Sequence, residues 1–159
     1  MIQAKDGYYS FEIAPQFWIF LEEQAGAGTI GSSIQVYGEI VRCQDKDDPL
    51  LKWVTPRKNS GLFYAPDQSV QAAMGEIGDH VVRTYDQRPA AVAKFLAGAD
   101  PWVIAHAKCD GGMVVSHESQ LQGNAMTPKI PNVCHAFGVG CIKLPAMLKT
   151  LKFRFGSGA

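Results

Sequence analysis

The stretch Gly98–Ser119, GADPWVIAHAKCDGGMVVSHES, decides the fold. Asp100 precedes Pro101, an apolar-rich run reaches Ala107, and Gly111-Gly112 closes it. Asp as cap, Pro at the first helical position and Gly past the end predict one helix. The β-branched run Met113-Val114-Val115 then reads as a short buried strand. It ends in Ser116-His117-Glu118. One carboxylate therefore stands at a helix start and another at the C-terminal end of the next strand, the edge at which open parallel α/β sheets bind ligands.

Composition bounds what surrounds that stretch. A chain of 159 residues suits one domain with a sizeable core. At 47% hydrophobic residues it is too apolar for disorder, and those residues are too dispersed for a membrane span. The run Ile13–Leu21 lacks the basic region and small-residue cleavage site of a signal peptide. Formal net charge is zero, which argues against a strong non-specific grip on nucleic acid. Cys43, Cys109, Cys134 and Cys141 have no C-x-x-C spacing, so buried reduced thiols in a cytoplasmic protein are expected.

Read in order, Met1–Lys5 continues an element and Tyr8–Phe11 is an aromatic loop. Pro15 opens a helix that ends near Gly26. Thr29–Ile30 reads as a short strand, and Ser32-x-x-Gln35 as a capping box before a helix with Glu39 at its middle. Gly38 costs that helix about 1 kcal/mol relative to Ala, and leaves room for a close approach. Asp45–Asp48 reads as a solvated charged turn, with a short helix from Pro49 and a loop over Pro56–Gly61. Asp67 caps a helix whose stripe Val70, Ala73, Met74, Ile77, Val81, Val82 is core-facing. Further helices start at Pro89, Pro131 and Pro145, with a strand over Val139–Ile142. Leu121–Lys129 is polar loop and residues 156–159 a flexible tail. Helices alternating with three short strands predict an α/β fold with a short parallel sheet covered on both faces. Three strands are few for so many helices, so one strand is missing from the count.

Glu39, Asp100 and Glu118 are the candidates for chemistry. Hard oxygen ligands at converging element ends suit Mg²⁺ or Mn²⁺, which would bind a phosphodiester oxygen and activate water. Each acid also has an ordinary reading: a helix cap for Asp100, a solvated helix position for Glu39, a surface charge for Glu118. The four histidines have no metal spacing, and no phosphate-binding glycine motif is present.

Several segments resemble a PIN-like domain, in particular a bacterial subfamily catalogued as a domain of unknown function. They are Ile2–Lys5 with Tyr8-Tyr9, Phe17-Trp18, Val36–Ile40, Phe95–Ala107, Val114–Glu118 and Lys129–Cys134, which together span nearly the whole chain. The resemblance implies a single PIN-like domain over residues 1–155. It implies a divalent-metal-dependent endoribonuclease, as in VapC-type toxins of toxin–antitoxin pairs. Glu39, Asp100 and Glu118 match three of the family's acidic positions and would hold Mg²⁺ or Mn²⁺, with Ser116 and Asn132 beside them. Asn132 stands where relatives often carry Asp. The implied partners are an RNA substrate and an antitoxin protein, with a second copy of this chain as another. The implied setting is the cytoplasm, with no membrane association.

The family's first acid has no match here, because Met1 falls just after the Asp-bearing strand. The resemblance therefore implies an N-terminal strand missing from the sheet and, with three acids only, feeble ribonuclease activity. A mis-assigned start and a truncated, inactive relative both account for this. The second implies a catalytically inactive PIN-like module that binds RNA or an antitoxin protein.

Overall fold

The computed structural model describes residues 1–43, 45–119 and 126–156. Most of the loop expected after Leu121, the tail beyond Gly156 and the side chain of Cys43 lie outside the described residues. The chain forms two compact units. One comprises Met1–Ala65 and the residues from Leu148 onward, the other Pro66–Met147.

In the first unit, α1 (Ile2–Asp6) leads into the aromatic loop, and Pro15 starts α2 (Pro15–Gly26). Phe17 and Trp18 are buried on α2. The Trp18 indole stacks on Phe11 at 4.0 Å, meets Trp53 edge-on at 5.1 Å, and donates its N–H to the Tyr9 carbonyl at 2.8 Å. A buried indole needs such a partner, and here the loop provides it. Tyr9 and Phe153 pack on Phe17 from either side in sequence.

The first strand is displaced from its expected place. The N–H groups of Thr29 and Ile30 both bond the Gln24 carbonyl, so this segment folds back on the end of α2 and has no ladder to join. Strand β1 is Ser32–Ser33 instead. It pairs in parallel with β2 (Phe63–Tyr64), a strand the sequence pattern did not announce, in the register Ser32 to Phe63 and Ser33 to Tyr64. Gly31 is pressed against the Tyr64 ring, and a Cβ there would lie 2.0 Å from a ring carbon. The capping residue also shifts by one. Ser33 is buried, and its hydroxyl bonds the Gln35 side chain and accepts from the Gln35 N–H at 3.4 Å.

Helix α3 (Ile34–Cys43) follows directly, burying Ile40. Then comes α4 (Pro49–Val54), continued by a 3₁₀ turn, Thr55–Arg57. Asp48 is no solvated turn residue. Its carboxylate accepts from Leu50 N–H at 2.7 Å, capping α4, and meets the Lys5 ammonium at 2.5 Å.

The second unit is built on α5 (Gln68–Thr84), capped by Asp67, which accepts from Val70 N–H at 2.8 Å. Val70, Ala73, Ile77 and Val81 are buried, and Val82 is exposed at the stripe's edge. Helix α6 (Pro89–Ala97) adds Val92 and Phe95, and α7 (Asp100–Asp110) adds Ile104 and Ala105. Helices α5 and α7 pack closely together. Gly111 ends α7 in the left-handed conformation, φ 65°, as a glycine stop requires.

Strand β3 (Met113–Val115) pairs in parallel with β4 (Gly140–Ile142), setting Val114 opposite Cys141. Only Val114 of β3 is buried, with Met113 and Val115 more than a third exposed. The strand therefore has one covered face rather than the two expected. Helix α8 (Ile130–Ala136) lies between the two strands in sequence and packs on α7 and β4. Helix α9 (Leu144–Thr150) carries the chain back to the first unit.

The α/β class and the short parallel strands hold. Among the described residues the strands form two separate two-stranded pairs, one in each unit, in place of one sheet. No described helix is long and apolar enough to cross a membrane.

Candidate functional site at the β3–β4 edge

A cleft of about 350 Å³ opens in the second unit where β3 and β4 end. Ser116 and Glu118 line it from the β3 side, His135 and Pro131 from α8, Cys141 and Ile142 from β4, and Lys143 from just after β4. The parallel ladder creates this meeting. Ser116 N–H donates to the Ile142 carbonyl at 3.0 Å, so the residues that leave both strands emerge side by side.

Glu118 is fixed on both carboxylate oxygens. Oε2 accepts the Ile130 backbone N–H at 2.8 Å, and Oε1 faces the Lys129 ammonium at 3.2 Å. The Ile130 amide belongs to the first turn of α8, whose N–H groups have no intrahelical partner. The cap residue Lys129 offers α8 no side-chain acceptor, so Glu118, twelve positions before Ile130, supplies one. Its charge also sits favourably at the positive end of that helix.

The backbone around Glu118 is held as well. Its N–H donates to Ser116 Oγ at 3.1 Å. The Lys143 ammonium donates to the His117 carbonyl at 2.7 Å, to the Glu118 carbonyl, and to Ser119 Oγ at 3.4 Å.

The other expected site residues stand as follows. Asp100 is exposed at the first residue of α7. Ala99 holds the cap position, with no side-chain cap bond, so Asp100 is not the helix cap that its place before Pro101 suggested. Asn132 is half-buried on α8. Neither lines the cleft. Glu39 is half-buried on α3, in the first unit, and a Cβ on its neighbour Gly38 would meet nothing within 4 Å. Of the five, Ser116 and Glu118 come together at the cleft.

Among the described residues no group of three or more His, Cys, Asp or Glu side chains is placed to hold a metal ion. Glu118 is the one carboxylate among the described residues lining this cleft, and its two oxygens are taken by the Lys129 ammonium and the Ile130 amide. The residues gathered here therefore do not supply the several oxygen ligands that Mg²⁺ or Mn²⁺ requires. What the chain's own residues do is orient Glu118 and carry positive charge, through Lys129 and Lys143, beside an open cleft.

Lys129, Lys143, His135 and Cys141 were not legible as site residues. A lysine 11 positions after Glu118 and another 25 positions after it have no motif spacing. Only the β3–β4 pairing brings them near.

Two thiols also meet here. Cys134 of α8, fully buried, and Cys141 of β4 hydrogen-bond to each other. Burial pushes the Cys134 thiol up to about 12, with Cys141 adding to the rise. Burial raises Cys141 too. Both are free thiols. Cys109, expected to be buried, is free and exposed, near the end of α7.

The fold and the cleft define an α/β protein whose parallel strand ends carry a helix-anchored carboxylate between two lysines. The chain belongs to the family described as Domain of unknown function (DUF4411), which matches residues 1–155. No curated protein and no solved structure matches it.

Proposed function

We propose that the chain is a PIN-like protein acting on RNA, a divalent-metal-dependent endoribonuclease of the toxin–antitoxin kind. The observation that carries this reading is Glu118. It leaves the C-terminal end of a parallel strand at an open cleft, the position that the PIN-like resemblance assigns to a metal-binding acid. Asp100, in the first turn of α7, occupies the helix-start position of the same pattern. Glu39 on α3 is the third acid in the reading, with Mg²⁺ or Mn²⁺ as cofactor. Lys129, partly exposed beside the cleft, carries the charge that suits the phosphate backbone of a single-stranded substrate. The partners implied are RNA and an antitoxin protein, in the cytoplasm.

One observation favours a second reading. Both oxygens of Glu118 are already engaged, by Lys129 and by the Ile130 amide. A chain that keeps them so is a catalytically inactive PIN-like module that binds RNA or an antitoxin without cutting.

RNA cleavage assayed with Mg²⁺ and with Mn²⁺ separates the two. The ribonuclease reading expects cleavage that EDTA stops and that falls by orders of magnitude in Asp100→Ala. Cleavage surviving Asp100→Ala would refute it. RNA bound but uncut by the parent chain in either metal would select the binding module.

A further inference from the structure

We propose that Cys134 and Cys141 are a redox-active thiol pair: hydrogen peroxide entering the cleft oxidises Cys141, and Cys134 then closes a disulfide that ties α8 to β4. The inference goes beyond the RNA reading and does not depend on it. Its ground is the placement of the two sulfurs. Cys141 lies on β4, half-buried, on the wall of the cleft. Cys134 lies behind it on α8, fully buried. The chain returns from α8 to β4 through a tight turn. Gly138 is left-handed there, at φ 66°, and the Val139 N–H bonds the Cys134 carbonyl at 2.9 Å. That turn sets the two thiols in hydrogen-bond contact, although they stand seven positions apart in the chain.

The two thiols divide the chemistry. Of the pair, Cys141 is the one that a small oxidant reaches from the cleft. Burial raises its thiol and the Glu118 charge adds to that, while the Cys134 S–H and the Lys143 ammonium pull the other way, toward the thiolate that attacks peroxide. The Cys141 sulfur takes one peroxide oxygen as the O–O bond breaks, which leaves a sulfenic acid on Cys141 and releases water. The Cys134 sulfur then bonds to the Cys141 sulfur and displaces the hydroxyl, which departs as water with the Cys134 proton. Two thiols and one hydrogen peroxide thus give one disulfide and two waters. Burial makes Cys134 a poor first target, yet its own step needs only the sulfur already against it. The new bond fastens α8, whose first turn clasps Glu118, to the strand that walls the cleft.

The test is a mass measurement, because trypsin releases both thiols and no other cysteine in one peptide, Ile130–Lys143. The folded full chain is treated with hydrogen peroxide, quenched, denatured, alkylated with iodoacetamide and digested. The peptide is expected to lose two hydrogens and take no alkyl group. Dithiothreitol added before alkylation is expected to restore two alkyl groups. In Cys134→Ser the reaction is expected to stop at a Cys141 sulfenic acid, trapped there by dimedone. In Cys141→Ser, Cys134 is expected to lose its thiol about tenfold more slowly than in the parent. Cys141 is half-buried, so this second variant tests the order of events should Cys134→Ser fail to fold. Two alkyl groups on the peptide after peroxide overturn the proposal. So do a Cys141 sulfinic acid beside an alkylated Cys134, a disulfide from Cys141 to Cys109, and equally fast loss of the Cys134 thiol in Cys141→Ser.

Discussion

The two units solve the same problem with different materials. Each carries a two-stranded parallel pair. The first unit buries aromatic rings: Phe17 and Trp18 on α2, with Trp18 stacked on Phe11 and edge-on to Trp53. The second buries an aliphatic stripe, Val70, Ile77 and Val81 on α5 against Ile104 on α7. The strand ends differ too. Strand β1 runs straight into α3, and Ser33 spends its hydroxyl on Gln35. Strand β3 ends at a cleft with Glu118 and Lys143 on its rim. A strand that continues at once into a helix satisfies its own polar ends. One that must cross a long connection leaves them to be met from elsewhere, and this is where the second unit places its charged groups.

The largest effect that sharpens this contrast is a core truncation. Trp18→Ala removes a side chain only 2% exposed and should cost about 4 kcal/mol, because the ring, its stacking partners and its hydrogen bond to Tyr9 are lost together. Hydrogen exchange should register the loss in α2 and α4. The matching change, Ile104→Ala, should cost about 3 kcal/mol and deprotect α5 and α7. Equal loss of protection in both units from either variant would erase the distinction.

Next come the glycines that let each strand pair close. A Cβ at Gly31 would fall 2.0 Å from Tyr64 Cε2, whereas one at Gly140 would fall 2.8 Å from Met113 Cγ. A flexible thioether gives way more cheaply than an aromatic ring. Gly31→Ala should therefore cost about 2 to 3 kcal/mol and Gly140→Ala about 1 kcal/mol. Adding Tyr64→Ala should recover most of the first loss, with urea midpoints as the readout. No recovery would mean that the ring is not the obstacle.

These differences also explain what the sequence made legible. The helices of the second unit were legible because Asp67, Pro89, Gly98, Pro101 and Gly111 punctuate them and a 3.6-residue stripe runs along α5. In the first unit, β1 is Ser32–Ser33 and β2 is Phe63–Tyr64, two residues each. Two residues are too few for any period, and the more apolar Thr29–Ile30 drew the strand assignment. Its backbone donors were already committed to Gln24. Pro101 and the run Met113–Val115 made the helix start at Asp100 and the strand end before Glu118 legible, but of the two only Glu118 lines the cleft. Lys129 as Glu118's partner is a consequence of topology, which no local pattern encodes.

Charge at opposite ends of the pH scale gives a third comparison. In the first unit, burial works against ionised Asp48, and the Lys5 ammonium and the Leu50 and Leu51 N–H groups outweigh it, holding the carboxyl below its usual range. An acid whose folded pKa is lowered binds fewer protons folded than unfolded. Its stabilisation is present above about pH 4 and is lost as pH falls through the folded value. Asp48→Ala should cost about 2 kcal/mol at pH 7, at the upper end for a helix cap, and little in acid. In the second unit, Cys134 is pushed up to about 12. Its neutral form is the folded one, so stability is present below about pH 8.5 and is lost as pH rises toward the folded value. Cys134→Ala should flatten that alkaline decline. Alkylation at neutral pH should modify exposed Cys109 and leave Cys134 intact. An Asp48→Ala deficit that persists undiminished into acid, or prompt modification of Cys134, would contradict these assignments.

The smallest expected effect bears on Glu39. Gly38 lies inside α3, and a Cβ there would meet nothing within 4 Å. Glycine in a helix interior costs conformational entropy that alanine does not, and no steric reason keeps it here. Gly38→Ala should therefore stabilise the chain by about 0.5 to 1 kcal/mol, read as a raised urea midpoint with an unchanged slope. The same open space stands beside Glu39, one of the three acids in the proposed reading. If RNA or metal uses that space, Gly38→Ala will stabilise the fold and yet weaken RNA binding. Gain in stability with RNA binding untouched would leave Glu39 as a solvated helix residue, and would confine the functional surface to the cleft at Glu118. A loss of stability would mean that the space is not open, and that α3 needs its glycine for packing.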